Sequence, residues 1–211
     1  MDRIVIVQAG NAKHAKELRC TKKRCDKFGY EHSSYNLGGL GFGTNFFTAP
    51  EDLERHRGFI SCRFKPKMLR VESQIWDKQT ILVYLDADVA LVQSLGDLSF
   101  LHGPGAVLRP LDETEREAHQ PDVGRINTGI LFFRCDAKSK RFIDAWDIRS
   151  RQRPTEQRAF NELALEQPEE VTFLPRHEYH AYEPTGKAKL VHYKGGQAER
   201  VHDHCETSCE G

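Results

Sequence analysis

Two aspartates interrupt the most apolar stretch of the chain, Ile81-Leu82-Val83-Tyr84-Leu85-Asp86-Ala87-Asp88-Val89-Ala90-Leu91-Val92. The run before them reads as a buried strand. A carboxylate at the end of such a strand is costly unless it is paired or holds a metal. On an extended chain residues i and i+2 point the same way, so Asp86 and Asp88 can present both carboxylates to one ion. Hard oxygen ligands of this kind suit Mn²⁺ or Mg²⁺. The plainer reading is a strand end whose aspartates open a turn.

At 211 residues the chain suits one large domain. Its 31 basic and 31 acidic residues cancel. Global charge therefore gives no reason to bind nucleic acid or an anionic membrane, and any anionic ligand must be held locally. No apolar run approaches the roughly 20 residues of a membrane span. The first residues enter a strand directly, without a secretory leader, which sets the expectation of a cytoplasmic protein with reduced thiols. Near the end, His202-Asp203-His204-Cys205-Glu206-Thr207-Ser208-Cys209 offers zinc-type ligands without the spacing of a common zinc module. A frayed polar tail is the alternative.

Strand-like and helix-like segments alternate, which predicts an α/β fold with a largely parallel sheet. Strands are expected over 3–8, 30–36, around the acid pair within 81–95, and over 105–109, 125–134, 171–174 and 189–193. Helices are expected over 12–28 (ended by Gly29), 66–78, 139–149 and 155–166. Met68, Leu69, Val71, Ile75 and Trp76 form the apolar stripe of the second helix, packed on the sheet. Phe160, Leu163 and Ala164 face inward from the last. Gly38-Gly39-Leu40-Gly41-Phe42-Gly43 lacks the dinucleotide-binding spacing. The polar segment 110–124 reads as a surface loop or a lid that orders over a ligand.

These pieces, in this order, resemble the nucleotide-sugar glycosyltransferases of the GT-A fold. The resemblance is nearest to the retaining family 8 enzymes of the glycogenin and lipopolysaccharide galactosyltransferase type. It rests on the opening strand, the basic segment around Arg63, Lys65 and Lys67, Tyr84-Leu85-Asp86-Ala87-Asp88, Asn127-Thr128-Gly129, Glu156-Gln157 and His192-Tyr193-Lys194-Gly195. It implies an α/β GT-A domain over 1–196, its central, mostly parallel sheet flanked by helices, with a polar tail over 197–211.

The resemblance also implies roles. Asp86, Asp88 and His192 would hold Mn²⁺ or Mg²⁺, which bridges the donor diphosphate. Asp86 and Ala87 would lie near the nucleotide ribose. Lys65, with Arg63 second, and Lys194 would meet the donor phosphates. The family pattern after the late histidine is compressed here and lacks its proline and tryptophan. Asn127, Thr128 and Gly129 would line the donor sugar. Glu156 stands where the family often has aspartate, and with Gln157 and Asp122 it would flank the sugar as the catalytic set. Gln8, Ala9 and Gly10, at the carboxyl end of the first strand, would face the base.

The implied activity is transfer from a UDP-sugar to a glycan or other hydroxyl acceptor, with retained anomeric configuration. Same-face attack and double displacement both remain open. Two other classes stay in view: a sugar-phosphate nucleotidylyltransferase, whose glycine- and arginine-rich phosphate loop is missing after the first strand, and a non-catalytic binding domain on the same fold.

Overall fold

The structure is a computed structural model that describes residues 2–36, 64–110, 124–153, 155–193 and 198–206. Strands β1 (Arg3–Gly10), β2 (Glu31–Asn36), β3 (Thr80–Leu85), β5 (Pro104–Leu108), β6 (Ile126–Arg134) and β7 (Thr172–Phe173) form one sheet in the order β2-β1-β3-β6-β5-β7. All run the same way except β6, which is antiparallel to both β3 and β5. A second sheet pairs β4 (Val89–Leu91) with β8 (Leu190–His192), antiparallel.

The continuous apolar runs follow from burial of the main sheet on both faces. Alternate residues enter two separate cores. Val5, Val7, Leu82, Tyr84, Leu131 and Phe133 pack on one side with Leu69, Trp146 and Phe160. Ile4, Ile6, Val83, Leu85, Ile130 and Phe132 pack on the other with Leu91, Leu95 and Leu98. Helices α2 (Phe64–Ile75), α3 (Ala137–Ser150) and α4 (Glu156–Glu166) supply the first side. Asp136 and Thr155 cap α3 and α4 by accepting from backbone N–H groups in the first turn. Phe160, Leu163 and Ala164 are buried as expected.

Three expectations need correction. β1 continues through Gly10, and Asn11 caps a 3₁₀ turn (Ala12–His14) before α1 (Ala15–Phe28) begins. Gly29 ends α1 at φ 72°, a left-handed position suited to glycine. The stripe on α2 is not the one the apolar residues suggest, because Val71 and Ile75 are 48% and 66% exposed. The buried residues run Phe64, Lys65, Pro66, Met68, Leu69, Glu72 and Ser73. The Glu72 carboxylate accepts from Ser33 Oγ (2.5 Å), Tyr35 Oη (2.6 Å) and Trp76 Nε1 (2.8 Å), so polar bonds help set the helix phase.

The third correction concerns the cysteines and the tail. Cys20 and Cys205 form a disulfide across 185 residues. Cys25 and Cys135 are free thiols, their pKa pushed up to about 12 by burial. A 3₁₀ turn (Ala198–His202) and α6 (Asp203–Glu206) pack on α1, with Val201 buried. His202 meets Glu17 at 3.3 Å, and His204 bonds Tyr193 Oη. The described part of the tail is therefore folded, and no zinc cluster forms there among the described residues. The glycine-rich loop 38–43 and nearly all of the lid expected over 110–124 lie outside the described residues. No described helix is long and apolar enough to cross a membrane.

Candidate active site and metal centre

The two sheets meet at the acid pair. β3 ends at Leu85, and the Asp86 N–H donates to the Gly129 carbonyl of β6 at 2.8 Å. The Val89 N–H donates back to the Asp86 carbonyl at 3.1 Å, turning the chain into β4. In the small sheet Val89 stands opposite His192. The Tyr193 N–H fixes the Asp88 carbonyl at 2.8 Å. These backbone bonds bring one ligand atom each of Asp86, Asp88 and His192 within 4.8 Å of one another.

Each acid has its own counter-group. His192 Nε2 lies 3.2 Å from Asp88 Oδ1. Burial would raise the Asp88 carboxyl, but the hydrogen bond and charge of His192, together with Lys65, hold it below the usual carboxylate range. Asp86 accepts from Tyr84 Oη at 2.8 Å, and its Oδ1 lies 3.1 Å from Lys65 Nζ.

Lys65 is itself buried and also pairs with Glu156 Oε1 at 2.9 Å. Thr128 Oγ1 donates to the same Glu156 oxygen at 2.9 Å. Gln157 Oε1 accepts from the Thr128 N–H (3.2 Å) and from Arg109 Nη2 (3.4 Å). Asn127 Oδ1 accepts from the Gly129 N–H at 2.7 Å. A Cβ on Gly129 would stand 2.8 Å from Asp86 Oδ2, 2.9 Å from Asn127 Oδ1 and 2.9 Å from His192 Cε1. Only glycine leaves this point between Asp86, Asn127 and His192 open.

The structure thus draws Lys65, Asp86, Asp88, Asn127, Thr128, Gly129, Glu156, Gln157 and His192 into one neighbourhood. Gln8 joins it from β1, its Nε2 reaching the Asp86 carbonyl at 3.5 Å while its Oε1 meets His32 Nε2 at 3.2 Å. Ala9 and Gly10 sit at the end of β1 opposite Tyr35 and Asn36. Ala87, half-buried, separates the acids. Arg63, Asp122 and Lys194 lie outside the described residues.

Three residues given no role from the sequence belong here as well: Tyr84, Arg109 and His180. Tyr84 was within reach of sequence reasoning, because it precedes Asp86 by two positions on the same strand face. Arg109 and His180 carry no comparable signal.

A mostly parallel α/β sheet, with a carboxylate pair at the end of an inner strand and a histidine from a second small sheet, defines a glycosyltransferase of the GT-A class. The family model described as nucleotide-diphospho-sugar transferase matches residues 64–209, and the chain belongs to that family. It is accordingly an enzyme of sugar transfer, and the nucleotidylyltransferase reading is set aside.

No curated protein matches the chain. Among solved structures, a glycosyltransferase involved in glycosylation of the major capsid of PBCV-1 superposes with a TM-score of 0.62 at 16% identity, covering 97% of this chain and 99% of the other. The galactosyltransferase LgtC, solved with donor and acceptor sugar analogues, gives 0.60 at 16% identity, covering 96% and 95%. The bifunctional glycosyltransferase WbbM gives 0.61 at 12% identity, covering 97% of this chain and 50% of the other. At these identities the agreement is one of fold.

Proposed function

We propose that this protein transfers a sugar from a UDP-sugar to an acceptor hydroxyl with retained anomeric configuration, using Mn²⁺ or Mg²⁺ held by Asp86, Asp88 and His192. The observation that carries the proposal is the convergence of these three side chains within 4.8 Å of one another, beside Gly129, where a Cβ would collide with Asp86 and His192. Two carboxylates and one imidazole suit a borderline-hard divalent ion such as Mn²⁺. Charge agrees: Asp86, Asp88 and Glu156 bring three negative charges and Lys65 returns one, leaving a deficit that a divalent cation would neutralise. Bound there, the ion would supply electrostatic stabilisation of the departing diphosphate.

The chain's own groups do the rest. Lys65, held between Asp86 and Glu156, keeps a fixed positive charge beside the site. Glu156 is engaged by Lys65 and Thr128, so its role is to hold them in place, while Gln157 and Asn127, whose amide oxygens accept from the Thr128 and Gly129 N–H groups, would line the donor sugar. The Asn127 amide also fixes the Gly129 backbone, whose bare Cα leaves room for ligand beside the acids. The nucleotide would lie beyond the carboxyl ends of β1 and β3, past Gln8.

The test is a panel of nucleotide sugars with Mn²⁺, Mg²⁺ or chelator, scored by nucleotide release and by early-time NMR of the product anomer. Metal-dependent UDP release with retained configuration is expected. Release from no donor under any metal would favour a non-catalytic binding domain. An inverted product would overturn the retaining assignment while leaving the metal site standing.

A further inference from the structure

We infer that His180 is a positioning residue for the metal ligand His192, acting by accepting a hydrogen bond from its far ring nitrogen. The inference rests on the metal-site reading above and deepens it. His180 is fully buried, and its Nε2 lies 2.9 Å from His192 Nδ1. The two rings stack with centroids 5.0 Å apart and planes 25° from parallel. Tyr182 closes over His180 edge-on at 5.3 Å.

The backbone holds the pair as firmly. The His180 N–H donates to the Arg176 carbonyl at 2.9 Å, anchoring it to α5 (Arg176–Tyr179). The Ala181 N–H donates to Leu190, and the His192 N–H donates to the Ala181 carbonyl at 2.8 Å, so the residue after His180 is stitched to the strand that carries His192.

The chemistry follows from the two faces of one imidazole. Metal ligation uses a bare nitrogen lone pair, and His192 Nε2 is the nitrogen that faces Asp88. With Nε2 bare, the ring proton sits on Nδ1 and needs an acceptor, and His180 Nε2 stands on that side. His180 in the tautomer protonated at Nδ1 therefore selects the ligating tautomer of His192 and fixes its ring plane. Partners of this kind on a ligand's far side commonly change metal affinity 10- to 100-fold.

The experiment measures Mn²⁺ affinity by the EPR signal of free ion for the unmodified protein, Asp88→Ala, His180→Gln and His180→Phe, with thermal melts alongside. A glutamine carbonyl can accept where His180 Nε2 does, whereas phenylalanine fills the space without accepting. Expected are a loss of about 10- to 100-fold for His180→Phe and within about threefold of the unmodified protein for His180→Gln. Equal affinity in both variants, or an equal loss in both, overturns the acceptor role. Mn²⁺ binding unaffected by Asp88→Ala, or absent from the unmodified protein, would instead defeat the underlying metal site. Should His180→Phe fail to fold, ¹⁵N NMR of the unmodified protein with Mg²⁺ decides: His192 protonated at Nδ1 supports the inference, and His192 protonated at Nε2 overturns it.

Discussion

The two halves of the acid pair sit in different surroundings although one residue separates them. Asp86 directly follows β3 of the main sheet and is held by Tyr84, Lys65 and the Gly129 backbone, with Glu156 balancing the lysine. Asp88 lies in the turn that leads into the small sheet of two three-residue strands and faces a histidine backed by a second histidine. The first half is a charge network whose parts also join helices α2 and α4 to the sheet. The second is a pair of potential ligands that, on the proposed reading, act only when an ion arrives. Removing a group from the main-sheet half should damage the fold, and removing one from the small-sheet half should damage binding.

The largest expected effect tests the small-sheet half. Asp88→Ala removes the partner of His192 Nε2 but leaves the buried Lys65 paired with Asp86 and Glu156, so melting should change less than for a break in the main-sheet network. Metal-dependent transfer should fall by roughly 10³-fold. Calorimetry with Mn²⁺ and UDP is the check, and undiminished binding of both would show that the site is misassigned.

Glu156→Gln tests the main-sheet half. Glu156 and Lys65 have side chains only 3% and 5% exposed, and breaking a buried pair on one side costs about 3–5 kcal/mol. Because Asp86 still faces Lys65, a loss near about 3 kcal/mol is expected in urea unfolding. Transfer should fall as well, because Lys65 and Thr128 lose the group that holds them beside the site. A stability change indistinguishable from zero would mean that the two halves do not differ as described.

Gly129→Ala probes the seam between the halves. Its added methyl would press on Asp86 Oδ2, Asn127 Oδ1 and His192 Cε1 at once. Overpacking of this kind costs about 1–3 kcal/mol. Here it should be read chiefly as weaker Mn²⁺ binding, because the crowded atoms are ligands or hold the backbone near them. Tight Mn²⁺ binding by this variant would place the ion elsewhere.

How much of this was legible in the sequence also divides along the seam. The strand before Asp86 is legible because a long apolar run ends in the acid pair, whereas His192 and the segments around Asn127 and Glu156 stand out only through their order in the family resemblance. The α/β class followed from the same alternation. Strand direction did not: β6 runs against its neighbours, yet its apolar pattern looks the same either way. The phase of α2 was misread because Lys65 and Glu72 are buried by polar partners on other elements, and hydrophobic periodicity cannot see those partners. His180 sits in a stretch without periodicity, and its meaning comes from the bridge that aligns Ala181 with Val191. The disulfide joins residues from opposite ends of the chain, and no local pattern announces that contact.

The smallest expected effect concerns the support behind Asp86. His32 on β2 bonds Gln8, and Gln8 reaches the Asp86 carbonyl. Burial, with help from the charge of Lys22, lowers the His32 pKa from its ordinary 6.5 to about 4. Between those values the unfolded chain binds a proton that the folded protein excludes. Stability present above pH 6.5 is therefore lost as pH falls toward 4. The ring is only partly buried and solvent screens it, so the loss should be on the order of 1 kcal/mol. His32→Gln removes the titrating group and can keep a donor for Gln8. Its stability should fall less steeply over this range than that of the unmodified protein. Parallel stability–pH curves for the two proteins would show that His32 is not held neutral, and that the Gln8 bridge to Asp86 is wetter than its geometry implies.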